Sequence, residues 1–183
     1  MRTILLTIGH RNIETRIRTA HILAMRTVLT LCALLLAAPA FADPRPVVIK
    51  MDLGGWIPTY EQRAYRWAAE GRKVIIDGDC RSACTYYLWS KYHLNICVTP
   101  NARLMFHMPF WRTGQGRYDI EATPARVEWS QKRWQAMLAE YPAAIAAKVR
   151  NSPNPSKIKD ARVYKTLTGS ALDGLVKRCP TAG

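Results

Sequence analysis

Residues 46–77 read PVVIKMDLGGWIPTYEQRAYRWAAEGRKVIID. The short apolar run Pro46–Met51 leads into Asp52-Leu53-Gly54-Gly55, where twin glycines end a strand in a tight turn. From Pro58 to Glu70, residues Tyr60, Ala64, Trp67 and Ala68 fall on one helical face, and Gly71 supplies the C-terminal stop. Lys73–Asp77 then returns as a second strand. Strand, helix and strand within about thirty residues predict a right-handed parallel crossover, so the sheet is expected to be parallel at its centre.

The pattern continues outward from this unit. Ser82–Lys91 is helical in character, with Ala83, Tyr86, Tyr87 and Trp89 as apolar flanks, and Leu94–Val98 reads as a strand. A turn at Thr99–Ala102 precedes a further strand, Arg103–His107, which ends before Met108-Pro109. The stretch Gly114–Gly116 is loop. Thr123 is a helix cap with Pro124 at the first helical position, and Val127, Trp134, Met137 and Leu138 keep helical spacing toward Tyr141. Pro142 either kinks that helix or begins a second one running to Val149. NSPNPS at 151–156 reads as loop, and Leu167–Val176 as a short capped helix before Cys179. The expected fold class is α/β, with repeated β-α-β units around a central, mostly parallel sheet in a single domain over residues 43–183.

Ahead of that domain, Met25-Arg26-Thr27 is followed by VLTLCALLLAAPAFA: a basic start, a short apolar run and a small-residue ending. This predicts a secretory signal over 25–42, cleaved after Ala42, with an apolar core too short for a stable membrane span. Leu31 precedes Cys32 where a lipoprotein signal needs a small side chain. A periplasmic or secreted protein is therefore expected. Residues 1–24 carry Arg11, Glu14, Arg16 and Arg18 between apolar patches and fit neither a signal nor a core strand. Either translation starts at Met25 rather than Met1, or these residues form an extra amphipathic leader.

The chain has 183 residues, 27 of them basic and 13 acidic; residues 43–183 keep 22 and 12, a net charge of +10. The basic side chains are scattered and follow no nucleic-acid motif, so a solvated basic surface is expected and no nucleic-acid partner. Beyond the signal, the cysteines are Cys80, Cys84, Cys97 and Cys179. An even number in an exported protein predicts two disulfides, since the spacing lacks the pairs of a zinc knuckle; no metal and no cofactor are expected. Three pairings are open, and a direct Cys80–Cys84 bridge is the least comfortable if a helix starts between them. A redox role is disfavoured, because thiol redox motifs hold two intervening residues and Cys80 and Cys84 hold three.

The segment GDCRSACT at 78–85 carries the chemistry. Ser82 follows a predicted strand and opens a predicted helix, where free N–H groups favour developing negative charge. A serine hydroxyl needs a base. His93 lies in a polar turn, whereas His107 ends a neighbouring strand at the same sheet edge as Ser82.

LGG at 53–55, CRSACT at 80–85 and ARLMFHMP at 102–109, in that order, resemble the proteolytic subunit of Clp proteases and its exported relatives in the crotonase-like superfamily. The 25 positions from Ser82 to His107 fit that pattern. The resemblance implies Ser82 as nucleophile, His107 as base, and an oxyanion hole from the N–H groups of Gly54 or Gly55 and of Ala83. It also implies an aspartate after the long helix, for which Asp160 is the candidate and Asp173 and Asp119 the fallbacks, although the Pro- and Lys-rich 151–166 segment departs from the family pattern. The aromatic residues after Ser82 suggest a tight aromatic groove. The function so implied is an exported serine hydrolase, a peptidase acting on peptide or protein substrates, compatible with homo-oligomer formation. The alternative is a catalytically inactive module of the same fold that binds peptide or envelope components.

Overall fold

A computed structural model describes residues 45–114 and 119–180, within the compact unit Asp43–Gly183. The leader expected over 1–24 and the signal expected over 25–42 lie outside the described residues. Strand β1 (Val47–Asp52) leads through the Gly54-Gly55 turn into helix α1 (Ile57–Ala69), and β2 (Lys73–Arg81) follows. The two strands pair in parallel. Tyr60, Ala64 and Trp67 are the buried face of α1, at the positions its spacing predicts.

Strand β2 is longer than expected and takes two neighbours on one side. Its first half pairs in parallel with β3 (Asn95–Val98), and its end, Asp79–Arg81, pairs in parallel with β4 (Arg103–Phe106). The change of neighbour coincides with a register shift against β1 between Ile49 and Met51. Gly78 sits at that bulge. A Cβ there would lie 2.0 Å from the Lys50 carbonyl oxygen, so only glycine lets the two backbones approach. The whole is a mixed α/β fold with a central, mostly parallel sheet, closed on one side by β5 (Lys165–Thr168), antiparallel to β4.

Between β2 and β3 the chain winds as two 3-10 segments, Ser82–Leu88 and Ser90–Tyr92, instead of the expected helix. Its aromatic residues, Tyr86, Tyr87, Trp89 and Tyr92, are all buried in the core. Tyr87 packs on Tyr60 and Trp67 of α1, with ring centroids 5.4 and 4.8 Å away, and Trp89 stacks on Tyr86 at 4.5 Å. The second layer comprises α2 (Pro124–Leu138) and α3 (Ala143–Val149). Thr123 caps α2 through its hydroxyl, which accepts from the Arg126 N–H, and Pro142 begins α3 rather than kinking α2. Tyr141 joins this layer to the core: its ring meets Trp89, Phe106 and Trp134, and its hydroxyl lies 2.9 Å from Thr85 Oγ1.

The expected loop at 151–156 contains the start of a one-turn helix, α4 (Pro155–Ile158), capped by Asn154, whose side chain accepts from the Ser156 and Lys157 N–H groups. The expected helix over Leu167–Val176 is instead the end of β5 followed by a 3-10 turn, Gly169–Leu172. Two disulfides form, Cys80–Cys84 and Cys97–Cys179. The bridge that looked least comfortable is present because no α-helix starts between its cysteines; the tight winding brings their Cα atoms to 5.2 Å. The second bridge fixes the C-terminal segment beside β3, where the Cys179 N–H also donates to the Val98 carbonyl.

Candidate active site

Parallel pairing of β2 with β4 sets Arg81 opposite Met105. Ser82 leaves the end of β2 one residue later, and His107 leaves β4 two residues later, so both stand at the C-terminal ends of adjacent parallel strands. Ligand clefts in α/β sheets gather at such ends. Here Ser82, His107, Gly54 and Gly55 all line one cleft of about 1040 Å³.

Ser82 is half-buried and has a left-handed backbone, with φ of 54°. A non-glycine residue in that region is strained, and such strain concentrates where a side chain must be presented at a sharp strand-to-helix turn. Three features hold it there. Cys80 and Cys84 bridge across it, the Thr85 hydroxyl donates to its carbonyl at 2.8 Å, and Gly54 presses against it from the β1 turn. Because the segment after Ser82 is a short 3-10 helix, the support expected from an α-helix dipole is not provided.

His107 is 5% exposed. Its ring packs edge-on to Tyr164 at 5.0 Å and tilted against Phe110 at 5.4 Å. Desolvation by this burial lowers its pKa to about 4, so the imidazole is neutral at physiological pH. The flanking turn is anchored: the Met108 N–H donates to the Pro153 carbonyl at 2.9 Å, and the Ser130 hydroxyl donates to the Pro109 carbonyl at 2.6 Å.

Asp160 makes no hydrogen bond to this imidazole. Its carboxylate accepts from Arg162 Nε at 3.0 Å and from the Arg162 backbone N–H at 2.8 Å, which lowers its pKa from the ordinary value. His107 Nδ1 is buried and has no hydrogen-bond partner among the described residues. Asp173 pairs with Arg178, and the Asp119 carbonyl accepts from the Thr113 N–H. The oxyanion assignment also narrows. The Gly54 N–H donates to Asp52 Oδ1 at 2.9 Å, so Gly55 and Ala83 are the candidates that remain.

The aromatic groove exists, but different residues build it. Of the aromatics between Ser82 and Tyr92, only Tyr86 lines the cleft; the others there are Trp56, Phe110, Trp111, Trp129 and Tyr164. Trp111 and Trp129 lie 5.5 Å apart, and the Arg126 guanidinium sits 4.5 Å over the Trp111 ring. Glu61 and Arg133 contribute the cleft's charge together with Arg112. These residues come from separated segments and share no motif; their one signal in the sequence is the WSQKR spacing of Trp129 and Arg133, one helical turn apart.

Fold and site together define a mixed α/β protein with an aromatic cleft at the carboxyl edge of its parallel strands, holding a serine and a histidine. No protein-family model, no curated protein and no solved structure matches the chain. Both cysteine pairs are oxidised, and among the described residues no helix is long and apolar enough to cross a membrane.

Proposed function

We propose that this protein is an exported serine hydrolase of the Clp protease-like, crotonase-like kind, cleaving peptide bonds with a Ser82–His107 dyad. One observation carries the reading: the strained Ser82 and the buried His107 occupy the ends of adjacent parallel strands and face one cleft. Ser82 Oγ attacks the scissile carbonyl carbon as neutral His107 accepts the hydroxyl proton. The imidazolium then gives that proton to the leaving amine, and water resolves the acyl-enzyme by the reverse route. The N–H groups of Gly55 and Ala83 would face the oxyanion, each donor of this type contributing about 3 kcal/mol to transition-state stabilisation. Two disulfides suit an oxidising compartment outside the cytoplasm.

A second reading has its own support. Among the described residues His107 has no carboxylate partner, and a base held at a pKa of about 4 accepts a proton weakly. That favours a peptide-binding module retaining the fold without turnover. A fluorophosphonate probe separates the two. The hydrolase reading expects covalent labelling at Ser82 that is lost in Ser82→Ala and His107→Ala; an unlabelled folded wild type would leave the binding module.

A further inference from the structure

Trp56 is 70% exposed and Trp111 40% exposed, yet both line the cleft that holds Ser82. Trp56 follows Gly54-Gly55 directly, forms the N-cap of α1 and lines the same cleft as the serine. Large apolar side chains left in water within a concave site mark a surface awaiting an apolar ligand.

The cleft's charge is unbalanced. Glu61 is already matched, accepting from Lys91 Nζ at 3.4 Å and from the Tyr92 hydroxyl at 3.3 Å. Arg133 makes no ion pair with any carboxylate among the described residues. It stands one helical turn beyond Trp129 on α2, and both side chains line the cleft, so a cation is set beside the aromatic surface.

We propose that the cleft selects peptide segments in which a large aromatic side chain stands next to an acidic residue, with Trp56 contacting the ring and Arg133 pairing with the carboxylate. This deepens the hydrolase reading by naming its substrate class, but it concerns binding and applies equally to a protein without turnover. The basic character of the domain strengthens the choice of an anionic partner, since it raises the local concentration of acidic peptide.

The test uses Ser82→Ala protein and fluorescein-labelled hexapeptides that differ at two positions: Phe-Glu, Phe-Lys and Ala-Glu in an otherwise constant glycine-serine frame. Fluorescence anisotropy is expected to show Phe-Glu binding about tenfold or more tighter than either relative. Arg133→Glu, at an exposed position, should reverse the Glu/Lys order while leaving the circular dichroism spectrum unchanged. Trp56→Ala should abolish the Phe/Ala preference and keep the charge preference. Equal affinity for the three peptides, or an unchanged order in folded Arg133→Glu, would overturn the proposal. So would binding to phosphatidylglycerol vesicles that outcompetes Phe-Glu peptide and is lost in the same variants. Cleavage is read separately with wild-type protein. Tight selective binding without cleavage would keep this inference and remove the hydrolase reading, whereas cleavage indifferent to both positions would do the opposite.

Discussion

Gly54 and Ser82 are packed so closely that a Cβ on Gly54 would lie 2.6 Å from the Ser82 Cβ and 2.6 Å from the Arg81 carbonyl oxygen. The β1 turn and the proposed nucleophile are thus a single unit: the glycine's missing side chain is the space the serine occupies. Gly54 also has φ of 74°, a conformation that disfavours a side chain on its own account.

Gly54→Ala therefore meets two penalties, and the expected loss of stability is about 2–4 kcal/mol in urea unfolding, with probe labelling of Ser82 abolished. Gly169→Ala is the control, since its φ is 55° but nothing lies within 4 Å of the added carbon. It should lose only about 1 kcal/mol and leave labelling intact.

The two disulfides should separate by role. Cys97–Cys179 closes a separation of 82 residues and Cys80–Cys84 one of four. By loop entropy the long bridge contributes about 4–5 kcal/mol and the short one about 2 kcal/mol. The Cys80→Ser/Cys84→Ser pair should thus unfold only modestly earlier in urea. Its probe labelling should nevertheless fall by about tenfold or more, because the bridge spans the strained Ser82 backbone. A labelling rate equal to wild type would show that Thr85 and Gly54 alone hold the serine.

How much was legible in advance follows from the range of each signal. The β1–α1–β2 unit is written in local periodicity, and Thr123-Pro124 is a local cap, so both stand where the residues indicate. Strand β5 carries no such mark. Only Leu167 of its four residues is buried, and the segment becomes a strand through pairing with β4. The 82–92 stretch has helical apolar spacing, but a left-handed Ser82 and the bridge across it wind the chain more tightly than an α-helix. Ser82 and His107 were accessible as strand-end residues. Trp56 and Trp111 were not, because convergence of separate segments on one cleft leaves no spacing to read, and Arg133 shows only its one-turn spacing from Trp129.

Asp160 offers a direct check on the histidine's surroundings. Its carboxylate is engaged by Arg162 and His107 Nδ1 accepts no help from it, so Asp160→Ala should label with the probe within about threefold of wild type. An aspartate that oriented the imidazole would instead lower the rate by several orders of magnitude, as loss of a triad carboxylate does. Arg162→Ala, which removes the guanidinium contact and keeps the backbone N–H donor, should likewise label within about threefold of wild type.

Burial of His107 makes acid stability a readout of the site. Its folded pKa is lowered from 6.5 to about 4 by desolvation, so the unfolded chain binds more protons between those values. Stability therefore rises with pH across that window. The contribution is fully present above pH 6.5 and is lost progressively as pH falls toward 4. At its largest this one group accounts for about 3 kcal/mol. Urea unfolding of wild type from pH 7 to 4 should show that slope, and His107→Gln, which cannot titrate, should flatten the corresponding part of it. The same shift governs the proposed chemistry. Probe labelling should hold level down to about pH 5 and fall only near pH 4, rather than declining through the ordinary histidine range. A labelling midpoint near pH 6.5 would mean that His107 is solvated in the working protein, and the buried dyad would have to be abandoned.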